Sequence, residues 1–257
     1  MKQSTRKFER QYIRLRDKIE KKGIRLAQAA LIAQYRQFLE RAKDLPPDMW
    51  TKIEIRQEPI EKFFKTFYPM SAPLGQMTRK HLSEKKSTED DVFLALYQRY
   101  MQNLVTTSVY SDRIKSITNT TSDRINAILR DFMSTAELEG WPIDKIRRGL
   151  IQVIGDSISG NVRARAQGIA QTEMISASNQ ASTYAAESTG LEYRKYWSTS
   201  HLEHVRDSHM SAEQESISRE GLKPDETFGN GLLYPGDPSG EASEVINCRC
   251  TILHEIV

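Results

Sequence analysis

The stretch NVRARAQGIAQTEMISASNQASTYAAESTGLEYRKYWS, residues 161–198, sets the fold class. Its first part is rich in Ala, contains no proline, and reads as a helix from about 161 to 188. Gly190 closes it, because glycine takes the left-handed conformation a helix end needs. Residues 193–198 are aromatic and strand-like, and a second strand-like run, 251–257, ends the sequence. Between 221 and 240 glycine and proline become frequent, as in turns and loops. The expected class is α+β: a mostly helical body with long helices, followed by a small C-terminal module with short strands.

Toward the amino end, Phe8, Tyr12, Leu15 and Ile19 recur at helical spacing, and the Ala-rich run to Leu39 continues the pattern until Pro46 and Pro47. Residues 44–88 hold Pro59, Pro69, Pro73 and Gly75 around an aromatic cluster of Phe63, Phe64 and Phe67. They read as loops about one short helix, the natural place for a link. Helical periodicity resumes at 89, with Ser87 or Thr88 as candidate caps and Val92, Leu96, Tyr100 and Leu104 on one face. A second stretch through Ile114, Ile125, Leu129 and Phe132 follows, with a candidate break at 119–122 and an end at Gly140. Pro142 suits the first turn of a helix carrying Ile146, Leu150 and Ile154, and Ser159-Gly160 marks another candidate break. The expected division is 1–88, 89–140 and 141–257.

With 37 basic and 34 acidic side chains the 257 residues are nearly balanced, yet the charge is unevenly placed. Residues 1–43 carry thirteen Lys and Arg against four acids. Arg6, Lys7, Arg10, Arg14, Lys21, Lys22 and Arg25 form a candidate nucleic-acid or acidic-protein surface, with a merely solvated helix face as the other reading. Mean hydropathy is −0.59, and no apolar run nears the roughly 18 residues a membrane span needs, so no membrane partner is expected. The amino terminus lacks the apolar core of a secretory signal, and a cytoplasmic site of synthesis is expected. Cys248 and Cys250 are the two cysteines, too close in sequence for an unstrained disulfide. On an extended segment residues i and i+2 share a face. The pair therefore reads either as two thiolates for one metal, zinc being the ion such ligands suit, or as two small core residues.

Four local patterns occur in order: RARAQGIAQTE at 163–173 with Asn179 beyond it, Trp197 with VRDSH at 205–209, YPGDP at 234–238, and INCRC at 246–250. Together they resemble the Mu F-type head-morphogenesis family of tailed phages, over roughly residues 145–252. That family similarly has an Ile-Ala-x-Thr-Glu helix, an Arg-x-Ser-His segment, a Pro-Gly-Asp turn and an Asn-Cys-Arg-Cys ending. The chain departs from the family at Leu202-Glu203-His204, where Asp-x-Arg is usual, and at Glu213-Gln214, where Asp-Gly is usual.

The resemblance implies a minor head protein of the virion, made in the host cytoplasm and located near the portal. Portal protein is its leading partner, with capsid or scaffold proteins and DNA as further ones. It implies an assembly role, with an effect on DNA packaging or ejection, rather than an enzyme. It also places His209 with Cys248 and Cys250 as metal ligands; His201, His204 and His254 are candidates for a fourth. Arg165, Thr172, Glu173, Asn179, Trp197, Arg206, Asp237 and Asn247 are the remaining motif positions. Thr172-Glu173 reads as a buried polar anchor that needs a partner, and Pro235-Gly236 as a turn in which Asp237 accepts backbone hydrogen bonds. Phosphate-loop, nucleophile-elbow and His-Glu-x-x-His patterns are missing. A nuclease-like cluster of His204, His209 and Asn247 is the enzymatic alternative, and it lacks acidic metal ligands.

Overall fold

Alanine, serine and long straight side chains dominate the sequence between its prolines, and helices dominate the structure accordingly. The computed structural model describes residues 3–83, 90–200 and 204–257. In order come α1 (Gln3–Lys43), a 3-10 turn (Pro47–Lys52), α2 (Glu58–Phe67), a 3-10 turn (Tyr68–Ser71), α3 (Ala72–Leu82), α4 (Asp90–Leu104), α5 (Ser108–Leu138) and α6 (Ile143–Glu187). The strand β1 (Tyr193–Ser198), helices α7 (Asp207–Ser218) and α8 (Ala242–Val245), and strand β2 (Thr251–Ile256) complete the chain. The two strands pair antiparallel, from Tyr193 opposite Ile256 to Ser198 opposite Thr251. This is the mostly helical α+β fold the sequence predicts.

The chain forms two compact units, each assembled from separated segments. One comprises Met1–Gly23, Lys65–Thr106 and Gly168–Val257; the other comprises Ile24–Phe64 and Thr107–Gln167.

The first unit is built around the last third of α6. Every residue from Thr172 to Ser182 is buried. Ala, Ser and Thr fill six of its eleven positions, so neighbouring backbones come close on several sides instead of along one apolar stripe. A Cβ on Gly75 of α3 would lie 3.0 Å from the Ala181 carbonyl, and the Tyr12 hydroxyl of α1 donates to the Ser178 carbonyl at 2.5 Å. Beyond α6, an apolar cluster of Ile175, Trp197, Ala212, Phe228, Tyr234 and Ile252 joins helix, sheet and loops.

In the second unit Leu31, Tyr35, Phe38, Trp50, Phe64 and Ile125 are among the buried apolar residues. A buried polar knot is set within it: Gln34 Nε2 donates to the Arg56 carbonyl and to Thr118 Oγ1, while its Oε1 accepts from Thr121.

Four expectations change. The proline-rich 44–82 stretch is largely helical, because Pro47, Pro69 and Pro73 sit in first turns, where no N–H is required. Helix α4 buries Phe93, Tyr97 and Met101, and leaves Val92 and Leu96 exposed: the larger aromatics decide the face. No break occurs at 119–122, where the Thr121 hydroxyl bonds both to the Ile117 carbonyl and to Gln34. Helix α6 runs unbroken through Ser159-Gly160, with Ser159 returning its hydroxyl to the Gly155 carbonyl. The candidate caps Ser87 and Thr88 lie outside the described residues.

Gly23 sits inside α1, where alanine ordinarily gains about 1 kcal/mol. Here a Cβ would lie 2.2 Å from Cε2 of Phe67, a ring with no exposed surface. The packing penalty of about 1–3 kcal/mol for an overfilled core outweighs the propensity gain. Gly23→Ala should therefore lower the urea midpoint, and an unchanged or raised midpoint contradicts this packing.

Candidate metal centre

Two of the motif segments, 234–238 and 246–250, meet the last third of α6, and Asn179 holds them both. Its Nδ2 donates to the carbonyls of Pro235 (2.8 Å) and Cys250 (3.2 Å), and its Oδ1 accepts from the Ile252 amide (3.0 Å). Two carbonyls and one N–H leave a single orientation for the amide group. Two turns earlier, Thr172 Oγ1 accepts from the Asn247 amide at 3.1 Å, and Gln171 Nε2 donates to the Asn247 carbonyl. Asn247 has φ +57°, a left-handed turn that asparagine tolerates, immediately ahead of Cys248.

The Pro-Gly-Asp turn lies directly on α6. Gly236 has φ +76°, and a Cβ there would approach Ile175 Cγ2 at 2.9 Å and the Ser176 amide at 3.0 Å, so glycine is required twice over. Asp237 accepts from the Leu233 amide with one oxygen and from the Ser239 amide and hydroxyl with the other. Glu173 receives the Tyr68 hydroxyl at 2.6 Å, the partner that a buried carboxylate requires.

The third segment brings α7. Arg206 precedes it and donates to the Ile246 carbonyl at 2.6 Å, tying the start of α7 to the Cys248 loop. His209 is 1% exposed and lies edge-on to the Trp197 ring, 4.9 Å between centroids. Its Nδ1 is 3.4 Å from Cys250 Sγ and 3.8 Å from Cys248 Sγ. All three candidate ligand atoms fall within 4.8 Å of one another. On the ring's other side Nε2 stands 3.1 Å from Glu244 Oε2, close enough for an ion pair but not aligned as a hydrogen bond. Ser208 donates to both oxygens of Glu244 and fixes that carboxylate. A proton on Nε2, the Glu244 side, leaves the Nδ1 lone pair facing both sulfurs. The Cys250 thiol hydrogen-bonds to Cys248; this draws the Cys248 thiol down from its usual range and, with burial, pushes that of Cys250 up. A buried His–Cys–Cys cluster able to hold a metal is therefore present, assembled from α7 and the chain end.

The other expected residues separate. His204 is exposed on the loop before α7, and His201 lies outside the described residues. His254 faces elsewhere, its Nδ1 3.3 Å from Ser182 Oγ and its ring edge-on to Tyr193, so it does not join the cluster. Arg165 belongs to the second unit, where it donates to Thr121 Oγ1 at 2.8 Å and the Ile117 carbonyl at 2.5 Å, and burial lowers it to about 10. Arg6, Lys7, Arg10, Arg14, Lys21, Lys22 and Arg25 are all exposed on α1.

Several participants carried no sequence signal. Glu244 stands outside the four motifs in a helix of four residues. Arg16, one of the basic residues of α1, is buried and donates to Thr251 Oγ1 and the Arg249 carbonyl. Glu20 takes both terminal nitrogens of Arg249, at 2.7 and 3.2 Å. These pairs span more than 220 positions, and no local pattern announces them.

Compared with known proteins, the chain matches no family model, no curated protein and no solved structure.

Complete burial lowers His254 to about 3, well below an ordinary imidazole near 6.5. Between those values the unfolded chain binds the proton and the folded one does not, so stability is full above pH 6.5 and falls as the pH drops toward 3. From pH 7 to pH 5 this group should remove about 2 kcal/mol. Urea titrations of the parent and His254→Gln at both pH values test it: the variant should lose less by that amount, and parallel losses contradict the assignment.

Proposed function

We propose that the protein is a minor head protein of a tailed phage, and that its carboxyl-terminal part is a zinc-stapled assembly module that docks on the portal and assists head assembly. The supporting observation is convergence. The 163–173, 205–209, 234–238 and 246–250 patterns are scattered over nearly ninety positions, yet Thr172, Arg206, the Pro235–Gly236 turn and the 246–250 loop come together within one unit. Motifs that close on one another behave as one module, and the resemblance they carry is to head-morphogenesis proteins. Their polar groups are occupied in holding the chain: Asn179, Asp237, Glu173 and Arg206 each spend their hydrogen bonds on backbone or buried hydroxyls. That arrangement favours a structural role for the module over catalysis.

The donor set fits zinc. Two thiolates and an imidazole select a borderline-soft ion over hard cations. Bond lengths of 2.0–2.1 Å to nitrogen and 2.3 Å to sulfur at tetrahedral angles put ligating N and S atoms about 3.6 Å apart, and the separations here are 3.4 and 3.8 Å. Glu244 behind the imidazole, 3.1 Å from Nε2, stands where an outer carboxylate would orient a metal-bound histidine. A zinc ion at His209, Cys248 and Cys250 would fasten α7 to the end of the chain, and its binding energy would become folding energy.

Protein purified without chelator should carry about one zinc per chain by elemental analysis, and Cys250→Ser should lose most of it. Zinc well below one per chain in the parent removes the metal from this reading. Portal association is tested separately: tagged protein from infected cells should retain portal protein or procapsids, and their absence contradicts the head-protein reading whatever the metal result.

A further inference from the structure

Helix α1 sorts its charges in the first unit. At 100° per residue, Phe8, Tyr12, Arg16 and Ile19 define its buried side. Lys7, Arg10, Arg14, Lys18 and Lys21 fall within a sector of about 80° on the opposite side, one cation per turn over about 21 Å. All five are exposed, and Arg6 and Lys22 flank them. None of these seven makes an ion pair or hydrogen bond among the described residues.

The acids of the same segment are turned away. Glu20 is 6% exposed and pairs with Arg249, and the Glu9 carboxylate accepts from the Ser198 hydroxyl. Asp17 alone stays at the rim of the stripe, 3.9 Å from the buried Arg16. A helix stabilising only itself would alternate signs along its exposed face for i,i+4 support. Here the intrahelical partners have been drawn inward, and the cations have no acidic partner among the described residues.

The exposed face also lacks any anchor for a protein or a lipid. From Arg6 to Lys22 its exposed residues are the seven cations, Gln11 and Asp17, with no apolar side chain among them. Protein interfaces draw their affinity from buried aromatic and aliphatic anchors, and interfacial helices insert an apolar face; both sides of this helix are otherwise committed. What a rigid, evenly spaced, purely cationic line fits is a rigid, evenly charged polyanion.

We propose that the Lys7–Lys21 face of α1 is a sequence-independent binding surface for the phosphate backbone of duplex DNA. Each cation displaces counterions from the duplex, so affinity falls steeply with salt, and phosphate contacts of this kind carry no base information. The inference rests on the placement of charge on α1 and stands apart from the head-protein reading and from the metal.

The test measures binding of the full chain to a labelled 20-base-pair duplex by fluorescence anisotropy across a salt series. Two variants accompany it: Lys7→Gln/Arg14→Gln/Lys18→Gln/Lys21→Gln, and a control, Lys115→Gln/Arg124→Gln/Arg130→Gln/Arg148→Gln, that removes as much charge from exposed positions elsewhere. All eight side chains are solvent-exposed, and unchanged thermal unfolding verifies the fold. The parent should bind two unrelated duplex sequences equally. The stripe variant should bind at least tenfold more weakly, with the slope of log affinity against log salt reduced by about 3–4, and the control should change little. Equal losses in both variants, or an unchanged slope, overturn the proposal. So does absence of DNA binding at low salt, and retention on an acidic polypeptide in that case assigns the face to a protein partner.

Discussion

One buried amide organises the carboxyl-terminal half of the first unit. Asn179 has no exposed surface, and its side chain spends both amide hydrogens and its oxygen on the main chain of two segments distant in sequence. A backbone group buried without a partner costs about 1–3 kcal/mol, so these bonds are obligations rather than embellishments. They decide where the Pro235–Asp237 turn rests and where β2 begins. The Cys250 carbonyl is one of the bonded groups, so the same amide fixes the distance of both thiols from His209. The cluster is thus a consequence of the helix it hangs from, and a metal there would add a second fastening to a loop already held by its backbone.

Close packing makes this possible. The stretch from Thr172 to Ser182 is buried throughout, and its small polar side chains lie where they can reach neighbouring backbone. Ser182 meets both Thr78 and His254, Ser178 receives Tyr12 through its carbonyl, and Glu173 receives Tyr68. Each of these fixes a different part of the first unit to one helix. The charge pattern of α1 follows from the same demand. Arg16 and Glu20 face inward to satisfy Thr251 and Arg249, and the exposed cations are left on the opposite side.

Much of this was legible in the sequence, and the unread parts share a cause. Helices, both strands and the Gly190 stop follow from local periodicity and turn chemistry, which act over a few residues. The grouping of His209 with Cys248 and Cys250 is what the family resemblance implies, whereas spacing alone leaves the thiols open between a metal and a core. The sequence suggests breaks at 119–122 and 159–160 because threonine, serine and glycine weaken an isolated helix, while here Gln34 and neighbouring turns satisfy their polar groups. Glu244, Arg16 and Glu20 were invisible as partners, since their meaning arises only when distant segments pack. For the same reason His254, a candidate fourth ligand alongside His201 and His204, belongs to a different part of the core.

The most direct measurement is hydrogen exchange at the Ile252 amide, whose proton is given to Asn179 Oδ1. If that amide is the organising contact, Asn179→Ala forfeits about 2–4 kcal/mol through the groups it strands. Exchange at Ile252 should then quicken by roughly 30- to 700-fold relative to the parent. Gln171→Ala, which removes a more exposed bond to the same loop, should leave that rate nearly unchanged. Equal and small effects from both substitutions would contradict the account, because the loop would then be held by something other than Asn179.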